Sequence, residues 1–141
     1  MGACCASREI SSKIYYTQKR EYKNVEEGTA GGPEIHVLSY NVLANITATK
    51  ENYPYAKEEI LQWENRFPKL MAVISRSDAD LILLQEVDNF ADWKKELEQF
   101  GYDVQFARGR GKDWGNVTAY KKSQFEEIDQ EVCNFDTLLE G

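Results

Sequence analysis

The chain has 141 residues, with 17 Lys and Arg against 24 Asp and Glu, for a formal net charge of −7. That length allows one domain with a modest core, and 42% hydrophobic residues with three prolines exclude both a wholly disordered chain and a proline-rich scaffold. No run of roughly 18 apolar residues is present to span a bilayer, and the acidic balance excludes a protein that coats nucleic acid non-specifically through cationic surface.

The chain opens Met1-Gly2-Ala3-Cys4-Cys5-Ala6-Ser7. The first residues lack the 7–15-residue apolar core of a secretory signal. Two adjacent cysteines and a distant Cys133 make no disulfide framework, which points to a reducing compartment. Gly2 is followed by small uncharged residues, as an N-myristoyl acceptor requires, although Ala6 stands where the strict pattern has Ser or Thr. One myristoyl chain anchors only marginally. Cys4 and Cys5 offer thiols for palmitoylation, and Arg8, Lys13, Lys19, Arg20 and Lys23 offer charge for anionic headgroups. The expectation is a lipid anchor and flexible basic tether over residues 1–34, closed by the glycine-rich stretch 28–33. It would hold the protein on the cytosolic face of a membrane. The alternative is a frayed terminus whose Cys-Cys pair is accidental.

From residue 35 the composition becomes that of a folded unit. Residues 35–43 are apolar nearly throughout and predict a buried strand. Over residues 57–76, Ile60, Trp63, Phe67, Leu70 and Ile74 fall at helical spacing, with a break expected at Pro68 in the first turn of a second helix. Residues 80–87 predict a second buried strand. Asn89 then caps a helix whose Phe90, Trp93, Leu97 and Phe100 share a face before Gly101 ends it. Residues 102–107 and 116–120 alternate like strands. Between them lies a glycine-containing loop with Arg108, Arg110 and Lys112, which reads either as an anion site or as a solvated face. The order predicts an α/β layered domain.

Two polar residues close the apolar strands: Asn41 the first and Glu86 the second. A carboxylate closing such a strand is either paired, metal-bound or emerging into solvent. On neighbouring strand ends, where α/β clefts open, the pair makes a hard-oxygen site suited to Mg²⁺.

Taken together, Ser39-Tyr40-Asn41-Val42-Leu43-Ala44, Tyr53-Pro54-Tyr55, Trp63, Arg66, and residues 79–87 ending Leu84-Gln85-Glu86-Val87 resemble the endonuclease/exonuclease/phosphatase superfamily. The likeness is to the N-terminal half of its domain, and most to the carbon-catabolite-repression deadenylase and nocturnin branch. It implies that residues 35–141 are a partial domain, the N-terminal half of a four-layer α/β sandwich, with one mixed or mostly antiparallel sheet and flanking helices. It also implies a metal-dependent phosphodiester hydrolase of RNA or of a nucleotide phosphate. Glu86 would coordinate Mg²⁺ or Mn²⁺, Asn41 would orient metal and scissile phosphate, and Arg108, Arg110 and Lys112 would meet substrate phosphates. Val117-Thr118 and Trp114 depart from the family pattern and leave the substrate class open. A phosphoinositide or other lipid phosphoesterase, and a non-catalytic lipid-anchored fragment, are the competing readings.

The family's later half supplies an Asp-x-Asn pair and an Asp-His pair. Neither motif occurs in these 141 residues, and the single histidine, His36, is expected to be a partly buried structural residue. The resemblance therefore implies a chain that ends before its second catalytic half. One apolar sheet face would be left for a second polypeptide or for self-association to cover.

Overall fold

The computed structural model describes residues 34–133, and the chain divides after Gly32. Gly2, Cys4 and Cys5, and most of the proposed tether, therefore lie outside the described residues. The elements are β1 (Val37–Asn41), a 3₁₀ turn at Asn45–Thr47, α1 (Glu58–Leu61), α2 (Trp63–Ser77), β2 (Leu81–Val87), α3 (Phe90–Gln99), β3 (Tyr102–Arg108) and β4 (Gly115–Lys121).

The four strands form one mixed sheet in the order β1-β2-β4-β3. β1 runs parallel to β2, while β4 is antiparallel to both β2 and β3. The register aligns Leu38, Ile82, Ala119 and Val104 across the sheet, with Tyr40, Leu84, Val117 and Phe106 in the next row on that face. Ile74 and Met71 of α2 and Trp93 and Leu97 of α3 complete this core. Trp63 stacks on Phe67 at 4.8 Å, both meet Trp93 edge-on, and Trp63 Nε1 donates to Asp92 of α3 at 2.8 Å.

Several sequence expectations are corrected. Among the described residues β1 is the edge strand, so Val37, Ser39 and Asn41 are exposed where a buried strand was expected. The helical break falls at Gln62, whose extended backbone separates α1 from α2 and whose carbonyl accepts from Asn65 N and Arg66 N. Pro68 sits inside α2, past the first turn. It removes only the bond to the carbonyl of exposed Glu64, which water can replace. Asn89 precedes α3 as expected but makes no side-chain cap, because its backbone is left-handed (φ 29°). Phe100 lies past the buried stripe of α3, 47% exposed. Gly101 ends the helix as expected, at φ 87°.

The second face of the sheet is also unlike the apolar surface expected. It presents Ser39, Gln85, Gln105, Asn116, Thr118 and Tyr120 beside the apolar Val37, Leu81 and Leu83. Part of it forms one wall of a cleft of about 760 Å³, whose other wall is the segment from Phe125 to Cys133.

Candidate active site

At the end of the sheet where β1 and β2 both finish, β2 carries one residue too many. Leu84 faces Val117 and Val87 faces Gly115, so three steps along β2 match two along β4. The extra residue makes a β-bulge, and Glu86 within it takes a left-handed backbone, φ 57°. The bulge changes the parity of the strand. Ile82 and Leu84 face the helices, and without it Glu86 would join them in the core. Instead Val87 is fully buried and the Glu86 carboxylate turns towards β1.

There Asn41 Nδ2 donates to Glu86 Oε1 at 2.7 Å, and Asn41 Oδ1 accepts from Leu43 N at 2.9 Å. Leu43 is itself left-handed, φ 60°, which turns the chain so that Ala44 N donates to Glu86 Oε2 at 3.3 Å. Two residues on, Ile46 N donates to Asp88 Oδ2 at 2.9 Å. Arg66 of α2 closes the turn from behind, its Nη2 donating to the carbonyls of Val42, at 2.9 Å, and Leu43. Burial lowers the pKa of this guanidinium below its usual range, while Asp88, Tyr53 and Tyr40 pull it back up.

The basic hairpin stands at this same end. Arg108, the last residue of β3, faces Gly115, and Gly115 faces Val87, next to Glu86. Arg110 and Lys112 follow in the turn, with the Lys112 ammonium 5.6 Å from the Trp114 ring centre. Asn41, Glu86, Arg108, Arg110 and Lys112 are therefore gathered at one sheet end. His36 is at the other end, before β1, and exposed rather than partly buried. Its backbone carries its structural role, with N donating to Asp80 Oδ2 at 2.9 Å. Sequence reading missed a role for Arg66 and for Asp88. Asp88 had a signal, a second carboxylate two residues after Glu86, and Arg66 had its place beside Trp63 in the motif that carries the resemblance, although nothing there named the carbonyls it would meet.

A mixed sheet covered by helices on one face, with a carboxamide–carboxylate pair where its parallel strands end, defines an α/β layer with a polar site at its strand ends. The chain's homologues are members of the endonuclease/exonuclease/phosphatase superfamily, and its sheet with flanking helices matches a fragment of that fold. No protein-family model matches. The CCR4-Not complex 3′-5′-exoribonuclease subunit Ccr4 of Emericella nidulans is 34% identical over 131 residues, which is 82% of this chain and 19% of that protein. The probable RNA exonuclease NGL3 of Saccharomyces cerevisiae is 28% identical over 112 residues, 77% of this chain and 22% of its own length. Among solved structures, ANGEL2, a 2′,3′-cyclic phosphatase crystallised with adenosine-2′,3′-vanadate, superposes with TM-score 0.61 at 30% identity. That match covers 67% of this chain and 29% of ANGEL2. The human nocturnin catalytic domain shares the fold at TM-score 0.55 and 23% identity, over 67% of this chain and 35% of its own. The chain thus spans about a fifth of the length of the curated relatives it matches.

Proposed function

We propose that this chain supplies the Asn41–Glu86 half of a divalent-metal phosphodiester hydrolase site that takes RNA or a nucleotide phosphate. The 2.7 Å Asn41–Glu86 contact, at the sheet end that also bears the basic hairpin, carries the reading. The homologous exonucleases and the ANGEL2 phosphatase support the substrate class.

The residues fit a magnesium ion. Among the described residues no three His, Cys, Asp or Glu side chains form a cage. Mg²⁺ binds through one or two carboxylates and completes its shell with waters and substrate phosphates. Glu86 would hold it. Asn41 and Ala44 N each occupy one lone pair of a different carboxylate oxygen, which orients the group and leaves lone pairs for a cation. When bound, such an ion polarises a phosphoryl oxygen and offsets charge on the leaving group. Arg108, Arg110 and Lys112 would neutralise flanking phosphates and set the strand's path. Myristate on Gly2 and palmitate on Cys4 and Cys5 would bring this unit to a membrane surface.

The likeness to ANGEL2 favours a second substrate form, a 2′,3′-cyclic phosphate at an RNA end. The test is calorimetric titration of Mn²⁺ into the wild type and Glu86→Gln, followed by binding of adenosine-2′,3′-cyclic phosphate and of a phosphorothioate oligoadenylate. Glu86→Gln is expected to lose Mn²⁺ binding and weaken both ligands. Equal Mn²⁺ affinity in the two proteins would overturn the reading.

A further inference from the structure

The loop over residues 42–57, between β1 and α1, holds a large aromatic side chain almost wholly in water: Tyr55 is 83% exposed. An aromatic ring left in solvent forgoes the burial that makes such residues useful in a core. Looseness does not explain the exposure, because the loop is bonded throughout. Lys50 Nζ donates to the carbonyls of Pro54 and Ala56 at 2.8 and 2.6 Å. Asn52 Nδ2 donates to Thr47 O at 2.9 Å, Tyr53 N to Thr49 O at 2.9 Å, and Ala56 N to Tyr53 O at 3.1 Å. The Tyr53 ring then meets that of Tyr55 edge to face, with centres 6.1 Å apart.

This loop belongs to the candidate site. Its first residues bring Ala44 N to Glu86 and Ile46 N to Asp88, and Asn52 Nδ2 ties the far half of the loop back to Thr47 beside them. The loop that opens at Glu86 thus carries a hydrogen-bonded turn with an exposed ring, and the hairpin at the same sheet end carries three cations.

We propose that Tyr55 is a stacking platform for a nucleobase of the strand whose phosphates meet the Glu86 end of the sheet. The inference rests on the phosphodiester reading above and extends it by a base-binding subsite. Stacking suits this geometry, since every base has a π face and an ordered aromatic binds it at small entropic cost. No hydrogen-bonding side chain is needed, so the subsite would accept any base while rejecting a strand without one.

The experiment measures binding of the full chain, in Mn²⁺, to two fluorescein-labelled phosphorothioate pentamers, one of adenylate and one abasic. The wild type is expected to prefer the adenylate strand, Tyr55→Ala to bind that strand about tenfold more weakly, and Tyr55→Trp to keep the preference. Abasic binding should be the same in all three, and circular dichroism should show intact folds. Unchanged adenylate binding in Tyr55→Ala would overturn the subsite while leaving the phosphate reading in place. Wild-type protein that binds neither strand would overturn both, and equal weakening on the two strands would assign Tyr55 to the loop's structure instead of to base stacking.

Discussion

Gly115 lies so close to Ala107 that a Cβ on it would stand 2.2 Å from the Ala107 carbonyl oxygen and 2.8 Å from Cα of Arg108. Both neighbours are backbone, so nothing can rotate away. The contact joins the base of the Arg108–Lys112 hairpin to the strand beside Val87, and it keeps the basic turn at the Glu86 end. Gly115→Ala is therefore expected to cost about 1–3 kcal/mol and to displace the hairpin. Gly101→Ala, at φ 87° with nothing within 4 Å, should cost about 1 kcal/mol from backbone conformation alone. Urea unfolding midpoints check the order of the two; a milder Gly115→Ala would refute it.

Arg66 secures the turn that carries Ala44 N to Glu86. Arg66→Met leaves the Val42 and Leu43 carbonyls without their donor, at a cost of roughly 1–3 kcal/mol. Because that turn also aims Ala44 N, Mn²⁺ affinity should fall too, with Arg66→Lys in between. Calorimetry on the three proteins tests this, and a stability loss with unchanged Mn²⁺ affinity would confine Arg66 to the fold.

Asp80 accepts from His36 N and from Lys121 Nζ, at 2.9 Å each, and these bonds hold its pKa below the usual carboxylate range. The folded value being the lower, the stabilisation is complete above an unfolded pKa of ~3.9 and is lost as pH falls through the folded value. Bonds to Asp78 and Asp80 raise Lys121. Its contribution is complete below an unfolded pKa of ~10.4 and is lost as pH rises through the raised folded value. The cluster thus stabilises evenly across the neutral range. Asp80→Asn should flatten the acid limb of a stability–pH curve measured from pH 2 to 7; a parallel curve would show that Asp80 is not responsible.

The Gly2, Cys4 and Cys5 motif should direct acylation in cells. Alkyne-myristate is expected to label the wild type and leave Gly2→Ala unlabelled, and Cys4→Ser with Cys5→Ser should reduce membrane retention. Equal membrane fractions in all variants would count against the anchor.

Residues 1–141 alone are not expected to turn over an oligoadenylate. Activating a water needs a positioned base; the single histidine lies at the opposite end of β1 from Asn41, and the carboxylates at the Asn41 end, Glu86 and Asp88, already accept from Asn41 Nδ2, Ala44 N and Ile46 N. Mg²⁺-dependent cleavage that disappears in Glu86→Gln would prove this expectation wrong.

The sequence by itself determined the elements and their order, because apolar runs and helical spacing are local signals: residues 80–87, 102–107 and 116–120 fall on β2, β3 and β4. It also marked Asn41 and Glu86, since a polar residue closing an apolar strand stands out against its neighbours. Their contact was decided by tertiary structure. The alternation of β2 sends Glu86 into the core, and only a bulge opposite Asn116, with Glu86 at φ 57°, reverses it. A bulge depends on the register against another strand, which no local pattern encodes. The exposure of β1 is decided the same way, because an apolar strand is buried or exposed according to its place in the sheet, and β1 lies at the edge. Arg66 acquires its role by the same route. Folding brings its guanidinium to carbonyls 23 and 24 positions earlier in the chain, a proximity created by packing α2 on the sheet.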